Sequence, residues 1–149
     1  MFLTVHGAVG ILIGQHVKNP LLAFALGFLS HYLFDIIPHG DTKAPEKWRQ
    51  VKYMALAASI DMIVLFFLLL WLYTKIEILN LNIAAALLGS VLPDFLQAFY
   101  FLSNRKWFKF SQQVHNFFHE FISRKYEWNL YIGLLFQILV VVIIIFLIF

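Results

Sequence analysis

Apolar residues fall in five blocks along this chain, separated by polar or basic joints. The first, about 2–17, carries Gly7, Gly10 and Gly14, which would let another helix approach closely. Lys18-Asn19-Pro20 breaks it. The second block, about 20–37, opens on that proline, whose missing N–H costs little at a helix start. Pro38-His39-Gly40 closes it. A polar joint leads to the third block, about 53–73, and a shorter one to the fourth, about 83–102. The fifth, about 129–149, ends in LLFQILVVVIIIFLIF. Segments of roughly 20 apolar residues cross a bilayer as helices, because backbone groups in lipid must be satisfied within the segment. At sixteen residues the first block is marginal, and is expected to tilt into protein or to be re-entrant.

Between the fourth and fifth blocks the pattern changes. Trp107, Phe110, Val114, Phe117, Phe118 and Phe121 recur at helical spacing, while Lys106, Lys109, Gln113 and Glu120 fall largely elsewhere. This predicts an amphipathic helix over about 106–123, lying on a membrane surface. The expected fold class is all-α: a single integral membrane domain over 1–149. It would be a polytopic transmembrane helical bundle of about five membrane segments plus that interfacial helix.

Composition agrees. The chain is 62% hydrophobic and 13% charged, where a soluble domain carries about a quarter charged residues. Its mean hydropathy is +0.81. No cysteine is present, which excludes disulfides and thiolate metal sites. The start, MFLTVHGAVG, has neither a basic region nor a small-residue cleavage site and is expected to be retained. Nine Lys and Arg (Lys43, Lys47, Arg49, Lys52, Arg105, Lys106, Lys109, Arg124 and Lys125) lie in two joints, and only Lys18 and Lys75 in the other two. The positive-inside rule then predicts an inner-membrane protein with a cytoplasmic N-terminus and an outside C-terminus. A net charge of +3, gathered at membrane ends, points to membrane lipids as partners and not to nucleic acid.

On that topology the scarce ionisable groups converge. Three of the four Asp (Asp35, Asp61 and Asp94) sit in apolar blocks, and an Asp at mid-bilayer costs about 2.5–3.5 kcal/mol. They fall in the cytoplasmic half with His6, His31, His39, Asp41, His115 and His119, and only His16 falls at the far end. Each has a bland alternative. His31 and Asp35, four apart on one helix face, either hydrogen-bond each other or act as metal ligands. His115 and His119 are either solvated or ligands. Asp94, after Pro93, either marks a packing kink or ligates. Asp61 is either a helix-pairing hydrogen bond or a catalytic base, and His6 either interfacial or a ligand. His39 and Asp41 belong to a Pro-His-Gly-Asp turn that would also rim a site. His16 reads as structural, and Ser30 only weakly as a nucleophile. A His/Asp set suits Zn first, then Mn or Fe(II), with room for one or two divalent ions.

LGFLSHYLFDIIPHGD, residues 26–41, resembles the Gly-x-x-Ser-His-x-x-x-Asp helix end and following turn of the predicted membrane-bound metal-dependent hydrolases. These are small polytopic inner-membrane proteins of bacteria and archaea. GSVLPDF is similar to that family's Pro-Asp motif, and HNFFHEF more loosely to its His-rich segment. The resemblance covers most of the chain except the last block. It implies that His31, Asp35 and Asp94 are metal ligands, with His6, His115 and His119 beside them. The chain departs from the pattern at Leu96, where the family carries a second Asp.

The function expected from all this is hydrolysis of an ester or phosphoester in a lipid-linked or amphiphilic substrate by metal-activated water, with Asp61 or Asp35 as base. A metal-ion or proton-coupled transporter is the alternative, since intramembrane carboxylates also mark ion paths. A non-catalytic membrane protein with a degenerate site is the third.

Overall fold

The computed structural model describes residues 1–40, 45–76 and 80–149. Among these there are six α-helices and no strand: α1 Leu3–His16, α2 Pro20–Asp35, α3 Val51–Tyr73, α4 Leu81–Leu102, α5 Lys109–Ser123 and α6 Leu130–Ile148. A 3-10 turn, Glu46–Arg49, precedes α3. Asparagines start three of the helices. The side chains of Asn19, Asn80 and Asn129 accept from the backbone N–H groups of Leu22, Asn82 and Ile132 at 3.0, 2.8 and 2.9 Å. Each satisfies a donor that the first helical turn leaves unpaired.

Three of the five apolar blocks, those of α3, α4 and α6, form helices long and apolar enough to cross a membrane. The first two blocks form shorter helices. α1 has 14 residues and α2 has 16, so at 1.5 Å per residue they reach about 21 and 24 Å, short of a hydrocarbon core of about 30 Å. α1 stops ahead of Lys18-Asn19-Pro20 and lies at the centre of the bundle. It packs against α2, α3, α4 and α6, and every residue from Thr4 to Ile11 is buried. Its N-terminus has no cap of its own. The N–H of Phe2 donates instead to Gln137 Oε1 on α6 at 2.6 Å, and that of Thr4 to both Asp61 oxygens on α3 at 3.3 Å.

Glycines set how closely the helices approach. A Cβ on Gly27 of α2 would run into the Ala86 carbonyl of α4, and one on Gly89 of α4 into the Phe24 carbonyl of α2. Gly10 and Gly14 of α1 likewise face the α4 backbone. Backbones without Cβ atoms between them gain close van der Waals contact where lipid offers no hydrophobic drive.

The burial pattern is turned inside out. On α2, Leu21, Leu22, Leu29 and Leu33 are exposed, while Ser30, His31 and Asp35 are buried. On α5, Gln112, His115 and Ser123 face inward, and Phe110, Phe117 and Phe121 outward. Water would penalise such exposed faces and lipid would not, so the chain fits a membrane protein. The expected surface helix is present as α5, three residues shorter at its start than the sequence spacing suggests.

Candidate metal centre

The Gly27–Gly89 crossing puts the end of α2 against the middle of α4, and the polar groups gather there. His31 Nδ1 lies 2.8 Å from the Ser90 carbonyl oxygen. A carbonyl only accepts, so Nδ1 carries the proton and the His31 lone pair is on Nε2. That is the arrangement of a ligand imidazole steadied by an outer hydrogen bond. Nε2 points into the bundle, 3.1 Å from Asp35 Oδ2 and 3.8 Å from Asp94 Oδ1.

Asp35 is the hub. Its Oδ1 meets His6 Nε2 at 3.2 Å and the N-terminal ammonium of Met1 at 2.6 Å. Its Oδ2 meets His115 Nε2 at 3.4 Å as well as His31. The His6 and His31 rings stack with centroids 4.0 Å apart, a contact that suits neutral imidazoles. Burial pushes His115, on the surface helix, down to about 4, so it is neutral at neutral pH, the state in which imidazole binds a metal.

Three buried atoms here have no hydrogen bond: His31 Nε2, Asp35 Oδ2 and His115 Nδ1. The His31–Asp35 approach is short enough for one but is not aligned as one. Buried polar atoms left in this state are costly, and two of them point at a common space. The donor set fits a divalent cation. Two groups, His6–His31–Asp94 and His31–Asp35–His115, each bring their ligand atoms within 4.8 Å of one another. Both are two imidazoles and a carboxylate, a triad that suits Zn or Fe(II). Because Nδ1 of His31 is held by Ser90, both triads draw on one lone pair. They are two halves of a single centre and not two sites.

The other sequence candidates belong to neither triad, although the His119 ring stacks beside that of His115 with centroids 6.0 Å apart. His119 lies across from His39, Nε2 to Nε2, at 3.1 Å. His39 is buried with its Nδ1 on the Ile37 carbonyl at 2.7 Å. Gly40 follows with φ +89°, and a Cβ there would meet the Asn129 carbonyl at 2.8 Å, so only glycine lets this loop seat on α6. The turn is held by Glu127, which accepts from the Gly40 N–H at 2.8 Å. Asp41 lies outside the described residues. Asp61 belongs to neither triad. Its carboxylate accepts from the Thr4 N–H and hydroxyl, and its carbonyl from the Thr4 hydroxyl at 3.2 Å. It caps α1 from a neighbouring helix, which is the helix-pairing hydrogen bond of the structural alternative. Asp61→Ala is therefore expected to cost about 1 kcal/mol, the worth of a cap, and to leave metal content unchanged. Thermal unfolding and metal analysis of the same preparation check both halves.

Sequence spacing alone does not single out the Ser90 carbonyl, Gln137 or Gln112. Gln112 does carry one signal, since it sits three residues before His115 and so shares its face. Comparison with protein-family models, with curated proteins and with solved structures finds no match.

Proposed function

We propose that this protein is a membrane-embedded, metal-dependent hydrolase acting on an ester or phosphoester of an amphiphilic or lipid-linked substrate. It would be similar in kind to the predicted membrane-bound metal-dependent hydrolases. The observation that carries the reading is the convergence of three imidazoles and two carboxylates from α1, α2, α4 and α5 on one buried point. That centre is not sealed. One member of each triad, Asp94 and His115, also lines a cavity.

A divalent ion held there, Zn before Mn or Fe(II), would supply Lewis acidity and a water activated at neutral pH. The residues divide the remaining work. His31, Asp35 and His115, with His6 behind them, would hold the ion. The Asp94 side chain is 23% exposed where that of Asp35 is fully buried. Asp94 is therefore better placed than Asp35 or Asp61 to take a proton from a reactant entering through the cavity. The distribution of Lys and Arg favours a cytoplasmic-side site with the five apolar helices in the bilayer, α1 within the bundle and α2 with its leucine face outward. An apolar cluster of Ile11, Leu72, Ile83, Ile144 and Ile148 fills another part of the bundle. It weighs against a transporter, which needs a polar route through both halves.

Wild-type protein purified in detergent is expected to hold about one equivalent of divalent metal per chain. It should release headgroup from mixed phospholipid micelles in a chelator-sensitive reaction. Protein with no stoichiometric metal ends this reading. Metal without any release reduces it to metal binding.

A further inference from the structure

The cavity beside the centre has a volume of about 400 Å³, the size of a small-molecule pocket. Besides Asp94 and His115 its wall carries Arg105, Gln112 and Asn116. Arg105 stands where α4 turns into α5. That turn holds three non-glycine residues in the left-handed region: Asn104 at φ 54°, Arg105 at 65° and Phe108 at 58°. Asparagine tolerates this, but arginine and phenylalanine pay for it, and such conformations persist where the surroundings over-determine them. Here the Arg105 N–H donates to the Tyr100 carbonyl at 2.8 Å, and the Ser103 hydroxyl accepts from the Trp107 N–H at 3.0 Å. The turn thereby fixes the backbone of Arg105, an exposed residue, at the rim of a pocket that Asp94 and His115 also line.

A second, independent observation lies on α5. Gln112 is 7% exposed. Its Nε2 donates to Asn116 Oδ1 at 2.6 Å, but its Oε1 is buried with no partner. Gln112 also lines the cavity, so a modest turn of its amide would offer this unpaired acceptor to whatever fills it.

We infer that this cavity seats the polar end of the substrate and that Arg105 is its anion anchor. The ligand class is a phosphoester bearing a hydroxyl, with phosphate on the Arg105 guanidinium and hydroxyl donating to Gln112 Oε1. The planar fork of arginine matches phosphate oxygens in pairs. The choice of a phosphoester rests on the hydrolytic reading above, whereas binding in the cavity rests on Arg105 and Gln112 alone. The shared chemistry belongs to a soluble phosphoester and to a lipid headgroup.

The test uses purified full-length protein with two probes, glycerol 3-phosphate in solution and phosphatidylglycerol in phosphatidylcholine nanodiscs. Metal content is measured in every preparation. Wild type is expected to bind at least one probe, and which one tells a free phosphoester from a headgroup. Arg105→Ala should weaken that binding about tenfold or more, Arg105→Lys less, and Gln112→Leu should remove the preference for glycerol 3-phosphate over inorganic phosphate. None of the three should change metal content. Failure of wild type to bind either probe overturns the inference, as does equal binding by Arg105→Ala. Inorganic phosphate competing as well as glycerol 3-phosphate overturns the hydroxyl half. Absence of metal from wild type overturns the hydrolase reading instead, and leaves the probe binding to decide this one.

Discussion

Replacing His31 with alanine is expected to weaken metal binding more than any other single change in the chain, by well over about 100-fold. Loss of an outer-sphere partner alone costs about 10–100-fold, and His31 is more than that. Its Nε2 is common to both triads, its Nδ1 is fixed by Ser90 at 2.8 Å, and its ring stacks on His6. The fold is expected to survive. Asp35 keeps the Met1 ammonium and His6 as partners, so no buried carboxylate is stranded. His31→Gln offers a second variant, with an amide able to reach the Ser90 carbonyl but no imidazole lone pair. Competition against a chromophoric chelator gives the affinity, and circular dichroism confirms the helices. Wild-type affinity in both variants would remove the centre described above.

Gly27→Val is expected to be the most damaging change outside the centre. The added Cβ would run into the Ala86 carbonyl oxygen, and would lie 3.0 Å from the Ala86 carbonyl carbon and 3.1 Å from its Cα. These are backbone atoms of α4 and have no rotamer to escape into. Overpacking of this sort costs about 1–3 kcal/mol, while leaving glycine behind in a helix returns a few tenths to about 1 kcal/mol. The steric cost wins because neither backbone can yield without unseating the crossing. The apparent Tm in detergent should fall by roughly 5 °C. Metal affinity should fall with it, since the same crossing brings His31 to Ser90. An unchanged Tm would mean that α2 and α4 do not pack as described.

Much of the centre was legible in the sequence because helical periodicity is local. His31 and Asp35 share a face by spacing alone, and charge asymmetry together with helix order sent His6, Asp94 and His115 toward the same end. The glycines of α1 were legible as sites of close approach for the same reason. What periodicity does not carry is which faces meet. His39 pairs with His119 from 80 residues away, and nothing local sets that distance. Asp61 reads from sequence as a buried acid in search of chemistry. Its partner, the first turn of α1 at Thr4, is 57 residues away and has no mark in the local pattern. The first block already read as marginal at sixteen residues and forms a helix of 14, whereas the second read as a span and forms a helix of only 16. Arg105 counted only toward topology, because a left-handed turn between two helices leaves no mark that glycine would have left.

The inverted burial described for α2 and α5 has a consequence for how this chain can change over time. In a soluble domain, drift is free at polar surface positions and arrested in an oily core. Here the tolerant positions are the outward leucines and phenylalanines, such as Leu29, Leu33 and Phe117, where one apolar side chain serves lipid as well as another. The intolerant ones, Ser30, His31 and Gln112 among them, are small or hydrophilic and often one residue away. Variation along these helices should therefore alternate at short range between near-random exchange of hydrocarbon and strict retention of polarity, with a period near that of the helix itself.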